Sequence, residues 1–220
     1  GGCLSVDCQS GGTSQVNVTK CSFTQCNATG EGNICGGGMW IGAGGSASLH
    51  ILSCSFTECS IPSDEGGMWS GMGGGMCLSL SGATISLEVK TPSFKDNKAW
   101  KGKDMFISVP NLTQTIKLQN LPFLPTANPP TALDLFVGED GGGSGVFVPL
   151  VYFVCGSPSI VEVGSATTKG GRDFGGCGWS GYACETLVYA LNRQEGKNRN
   201  VTVLDSTEAH GRVVVGEKAH

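Results

Sequence analysis

The chain has 220 residues, of which 15% are charged, and a formal net charge of −4. That length allows one or two domains, and the sparse, slightly acidic charge offers no basic surface to nucleic acid. Glycine is abundant, at 36 residues, but it does not recur at every third position, which excludes collagen.

In chain order, the first 100 residues repeat themselves. Gly1-Gly2-Cys3-Leu4 is followed by Val16-Asn17-Val18-Thr19-Lys20-Cys21-Ser22-Phe23. Gly38-Met39-Trp40-Ile41 is followed by Leu49-His50-Ile51-Leu52-Ser53-Cys54-Ser55-Phe56. Gly75-Met76-Cys77-Leu78 is followed by Leu87-Glu88-Val89-Lys90-Thr91-Pro92-Ser93-Phe94. Stacked units behave in this way when strands keep their register and loops vary. Helical repeats of similar period are excluded by the pattern within each unit. Val16/Val18, Leu49/Ile51 and Leu87/Val89 alternate with polar residues, the period of a strand, and Asn17, His50 and Glu88 fall on the outer face. Gly42-Ala43-Gly44-Gly45-Ser46-Ala47 matches a loose dinucleotide fingerprint, but no helical crossover follows it, and a corner between strands explains it better.

Each turn is therefore expected to hold three short strands: Gly-Met-Trp-Ile, Ala-Ser-Leu-His-Ile and Cys-Ser-Phe-Thr. A variable loop, residues 60–72 in the second unit, absorbs the differences in length. Equivalent strands should pair in parallel, and Phe23, Phe56 and Phe94 should stack in a dry centre. At the corner that follows, Cys26, Cys59 and Asn97 share one position, where asparagine can bond the backbone of a neighbouring turn.

Gly37-Gly38-Met39-Trp40-Ile41 with Phe56-x-x-Cys59, and Gly74-Gly75-Met76-Cys77-Leu78 with Phe94-x-x-Asn97, resemble the GGxx and FxxN repeats of the polymorphic outer membrane protein family. They are also similar to the pectin-lyase-like repeats of large protist surface proteins. The resemblance covers residues 1 to about 109 and implies an all-β, right-handed parallel β-helix. Cysteine at the asparagine position departs from the bacterial pattern, so that family's autotransport is not carried over.

Past the repeats, Lys103–Ile107 reads as the final strand of the coil. Residues 110–131 contain five prolines and mark a connector, with Ala132–Val137 and Val146–Cys155 as further strands. The apolar run at Val146–Val154 is interrupted by Pro149 and is far shorter than the ~20 residues that span a bilayer. From about 166, Cys177 and Cys184 flank a turn that leads into an amphipathic segment, with Leu187, Ala190 and Leu191 on one face and Gly196 as its cap. This segment resembles the short helix that plugs the first coil of a pectin-lyase-like β-helix. Three parts are expected: coils over 1–109, a connector over 110–165, and a capping helix with the first strands of a second β-helix over 166–220. The chain starts without methionine inside a repeat and is expected to be a piece of a longer protein.

Eleven cysteines and the N-x-T sequons at Asn17, Asn27, Asn111 and Asn200 favour an oxidising, secretory route and an extracellular or cell-surface location. Cys177–Cys184 is the favoured disulfide, and thiols stacked on adjacent turns are further candidates. Zinc binding by Cys21, Cys26, Cys54 and Cys59 is disfavoured, because the third copy carries Pro92 and Asn97 at those positions. A histidine triad would have to use His50, His210 or His220; His50 points outward, and there is no G-x-S-x-G elbow. Neither a catalytic residue nor a cofactor or metal is assigned.

The leading expectation is a non-catalytic β-helix segment that serves as a stalk or adhesive surface. Its partners would be glycans or surface proteins of a host or neighbouring cell, contacted by loops containing Asp64, Glu65 and Trp69. The competing expectation is a polysaccharide lyase or hydrolase of pectate-lyase-like fold. Such lyases are expected to hold Ca²⁺ on carboxylates beside a basic residue. Glu58 and Asp96, in adjacent frames just after the repeated phenylalanine, are among the acids available to either chemistry.

Overall fold

The computed structural model describes residues 2–8, 12–30, 34–62, 71–82, 84–116, 119–125, 133–140, 147–154, 160–163 and 200–203. The chain divides into two units, 1–154 and 155–220, each described by itself.

Every coil of the first unit is built from three strands. The first coil has β1 (Leu4–Cys8), β2 (Thr13–Thr19) and β3 (Ser22–Thr24). The second has β4 (Met39–Ala43), β5 (Ser46–Leu52) and β6 (Ser55–Thr57). The third has β7 (Met76–Leu80), β8 (Thr84–Lys90) and β9 (Ser93–Lys95). Equivalent strands pair in parallel, in the orders β1-β4-β7, β2-β5-β8 and β3-β6-β9. The fold is a parallel β-solenoid of about three turns. On the second and third faces its register is that of the repeats: Val16, Leu49 and Leu87 are in line, as are Phe23, Phe56 and Phe94. On the first face Leu4 pairs with Met39, two residues off the alignment of Gly1 with Gly38 that the motifs suggest.

The period-two pattern sets which side chains fill the interior. Met39, Met76 and Met105 form one inward column, and Val18, Ile51 and Val89 another; all six are buried. The rings of Phe23 and Phe56 stack at 4.9 Å and 8°, and those of Phe56 and Phe94 at 5.3 Å and 14°. Stacked rings of this kind contribute about 0.5–1.5 kcal/mol beyond the apolar area they bury.

Glycines admit the chain at the start of each coil. A Cβ on Gly38 would lie 2.6 Å from the Gly75 carbonyl oxygen and 2.9 Å from the Phe56 ring. One on Gly75 would lie 2.6 Å from the Asp104 oxygen, so the coil-to-coil contact itself requires the bare backbone. The corners on either side of the third face use single non-glycine residues with positive φ: Lys20, Ser53 and Thr91 before it, and Gln25, Glu58 and Asp96 after it.

The first face runs beyond the repeats. β10 (Met105–Val109) pairs with β7, and β11 (Phe136–Asp140) continues the parallel order. Lys103–Ile107 is therefore not the final strand on this face. β12 (Phe147–Pro149) turns back antiparallel to β11. The chain then enters a 3₁₀ turn, Leu150–Phe153, instead of continuing as a strand to Cys155. Pro149 has no N–H to extend the ladder.

Within the proline-marked stretch, α1 (Leu112–Thr115) and residues 119–125 contribute buried Leu112, Leu121 and Leu124, with Ile116 between them. Val89 N–H donates to Asn120 O at 2.9 Å, and Phe123 packs against Phe94 and Phe136. These groups cover the end of the phenylalanine column.

The outward side of the first face is also covered. Trp40, Cys77, Phe106 and Val137 align there in register, and Cys35, Met72 and Phe147 pack against them. In the second unit, β13 (Ile160–Val163) and β14 (Asn200–Val203) pair in parallel.

Candidate functional site

The corner after the third face carries two polar rows that run from coil to coil. Phe-x-(Gln/Glu/Asp)-(Cys/Asn)-(Asn/Ser/Lys) is its sequence form. Backbone pairing places Asn27, Ser60 and Lys98 on successive rungs. Gln25, Glu58 and Asp96 form a parallel row, linked by Gln25 N–H→Thr57 O and Glu58 N–H→Lys95 O, each 2.9 Å. Between the rows, Cys26, Cys59 and Asn97 turn inward and are buried. The two rows line an open groove of about 780 Å³. Gln25 Nε2 donates to Glu58 Oε2 at 3.0 Å, and the Ser60 hydroxyl donates to Asn27 Oδ1. With two carboxylates and one ammonium, the groove is net acidic.

The inward row shows one task performed by two chemistries. Asn97 Oδ1 accepts from Cys59 N–H at 2.9 Å, and its Nδ2 donates to Phe56 O at 3.1 Å. The asparagine thus bonds the backbone of the preceding coil. Cys59 Sγ reaches Phe23 O at 3.5 Å, the equivalent carbonyl one coil earlier. Asn97 Nδ2 also donates to Asp104 Oδ1 at 3.0 Å. Burial raises the Asp104 carboxyl above the ordinary range, outweighing that hydrogen bond.

Cys26 forms a disulfide with Cys3, with Cα atoms 5.6 Å apart. The stacked pairs Cys21/Cys54 and Cys26/Cys59 are not bonded in this way. In-register neighbours in a parallel sheet stand about 4.8 Å apart with parallel Cβ directions, beyond the ~3.8 Å typical of Cβ atoms in a disulfide. Burial raises the thiols of Cys54 and Cys59 above the usual cysteine value, as expected of inert structural cysteines.

A second polar constellation lies on the outer side of β5 and β8. His50 Nδ1 meets Glu88 Oε2 at 2.9 Å, and Ser48 Oγ meets His50 Nε2 at 3.1 Å. Lys90 pairs with the other Glu88 oxygen. The Glu88 carboxyl is held below its ordinary value, first by Lys90 and then by His50. The bond order is that of nucleophile, base and orienting acid. It lies on an open strand surface, with the His50 and Glu88 side chains each 32% exposed. Cross-strand pairing of His50 with Glu88 accounts for it structurally. Sequence reasoning set His50 aside as outward-pointing, yet the signal was available: Ser48 and His50 share a face, and Glu88 occupies the His50 position in the next copy.

Of the residues singled out from sequence, Asn17 is exposed on β2 in line with His50. Asn27 lines the groove. Asn111 caps α1, its Oδ1 accepting from Gln114 N–H at 2.9 Å. Asn200 begins β14, where the backbone alone is described. Asp64, Glu65, Trp69, Cys177, Cys184 and the 187–196 segment lie outside the described residues. Trp40 packs in the outer apolar cluster, whereas Trp100 is 53% exposed, with Lys101 Nζ 5.0 Å from its ring centre. Among the described residues, no group of three or more His, Cys, Asp or Glu is placed to hold a metal ion. None of their helices is long and apolar enough to cross a membrane.

Comparison with known proteins returned no matching family, no matching curated protein and no matching solved structure. The parallel β-solenoid stands on the coordinates, and the likeness to named repeat families on the motifs alone.

Proposed function

We propose that this chain is a non-catalytic β-solenoid segment of a secreted or cell-surface protein and that its corner groove binds glycan chains. The observation that carries this reading is the pair of in-register polar rows, Gln25/Glu58/Asp96 and Asn27/Ser60/Lys98, with the groove between them. Amide, hydroxyl, carboxylate and ammonium groups repeated at coil spacing can address successive hydroxyls of an extended polyol. Its acidic balance favours neutral or amino sugars over polyuronates, which would meet two carboxylates for one lysine.

The secretory setting is supported by the Cys3–Cys26 disulfide and by the exposed sequons at Asn17 and Asn111, which lie away from the groove lining. At Asn111, the side-chain oxygen makes the structural hydrogen bond. Glycosylation at the nitrogen leaves that oxygen in place.

The test is titration of the folded chain with neutral and amino-sugar oligosaccharides, read by amide chemical shifts. Shifts confined to the groove residues are expected, with binding at least tenfold weaker in Ser60→Ala/Lys98→Ala. Absence of binding, or equal binding by the variant, refutes the assignment.

A second reading is favoured by the stacking of Glu58 above Asp96. Backbones about 4.8 Å apart are compatible with the ~5 Å carboxyl separation of retaining glycosidases. Release of reducing ends that is abolished in Glu58→Gln would establish hydrolysis in place of binding alone.

A further inference from the structure

The outward cluster on the first face contains two cysteines that the coil stack brings together from different turns. Cys77 lies on β7, buried with Met72, Phe106 and Val137, and Cys35 packs against the same cluster. Cys35 precedes β4 by four residues and bridges to Met72 on the next coil. The two thiols share this cluster closely enough for each to shift the acidity of the other. The pair is offset in register, because the residue paired with Cys77 is Trp40. This offset separates it from the stacked pairs Cys21/Cys54 and Cys26/Cys59, whose Cβ directions run parallel. Cys3–Cys26, the disulfide present, is likewise not an in-register pair.

We propose that Cys35 and Cys77 form a covalent modification site, closing a disulfide that ties the second coil to the third with an external disulfide as oxidant. The two thiols are prepared for different roles. The neighbouring Cys77 side chain lowers the Cys35 thiol below the usual cysteine value, while burial holds Cys77 well above it. Cys35 is half-buried and reachable; Cys77 is 1% exposed.

The Cys35 thiolate attacks one sulfur of a small-molecule or protein disulfide and expels the other as a thiolate. Cys77 gives its proton to water, and its sulfur attacks Cys35 Sγ in the mixed disulfide, expelling the second thiolate. Two protein thiols are oxidised, and the two expelled thiolates take up the two released protons, so that one external disulfide is reduced to two thiols.

The experiment exposes the folded full chain to oxidised glutathione, alkylates it under denaturing conditions and maps its peptides by mass. The expected product is a peptide containing Cys35 joined to one containing Cys77, two hydrogens lighter than the separate peptides. In Cys77→Ser, glutathione should remain trapped on Cys35; in Cys35→Ser, Cys77 should stay unmodified. Separate alkylation of Cys35 and Cys77 in the oxidised wild-type chain would overturn the proposal. Joining of either to a different cysteine would also overturn it.

Discussion

The corners after Phe56 and after Phe94 share one backbone path and differ in chemistry. Glu58 and Asp96 have φ of 54° and 53°, and the residue that follows each turns inward and is buried. At the third coil that residue is Asn97, which satisfies both an N–H and a carbonyl of the coil before it. At the second it is Cys59, which reaches one carbonyl of the preceding coil, and Thr57 O of its own, through a weaker S–H donor. Register therefore fixes the position, and any small side chain able to serve the neighbouring carbonyl can occupy it. Cys59 stands where the next coil has asparagine and serves the same carbonyl position.

The largest effect is expected from removing what both corners depend on. Phe56 is fully buried between two rings, so Phe56→Ala should cost about 3–5 kcal/mol in denaturant unfolding. A cost near zero would mean the column does not support the fold. Next comes Asn97→Ala, which strands the buried Cys59 N–H and should cost about 1–3 kcal/mol. Asn97→Cys, which copies the second coil, should recover part of that loss. Equal instability of the alanine and cysteine variants would break the equivalence of the two corners.

The reverse exchange, Cys59→Asn, should gain about 0.5–1.5 kcal/mol by supplying the second hydrogen bond. The smallest effect concerns Asp104, beside Asn97. Because its carboxyl is raised in the fold, the native state prefers the protonated form. Its contribution is then complete below the unfolded value near 3.9 and falls as pH rises through the folded value. Asp104→Asn keeps an oxygen for Asn97 and removes this dependence. Its stability advantage should be greater at neutral pH than at pH 3; a constant or reversed difference would refute the buried-acid account.

The coil was legible because alternation and repetition agree: Val16/Val18, Leu49/Ile51 and Leu87/Val89 named the inner face, and the phenylalanines set the register. Beyond the repeats, Phe136–Asp140 was hard to delimit because Gly138, Glu139 and Asp140 lack an apolar alternation. Gly138 leaves room there for the ends of the Leu112 and Leu150 side chains, which come within 2.8 Å and 2.6 Å of where a Cβ would stand. That contact is long-range and invisible in a local window. The groove was half legible: Glu58 and Asp96 were noted, but Gln25, Ser60 and Lys98 differ in residue type and join them only through register. The Cys3–Cys26 bond was hidden for the same reason: its partners lie 23 residues apart, and only Cys26 belongs to the repeated Phe-x-x-Cys motif.

Ring-to-ring contacts among Phe23, Phe56 and Phe94, read by nuclear Overhauser spectroscopy on selectively labelled chain, test the stacked coil most directly. The account predicts contacts between Phe23 and Phe56 and between Phe56 and Phe94, whose centroids lie 4.9 Å and 5.3 Å apart. It predicts none between Phe23 and Phe94, which are two rungs apart. A direct Phe23–Phe94 contact, or the absence of both neighbouring contacts, would contradict it.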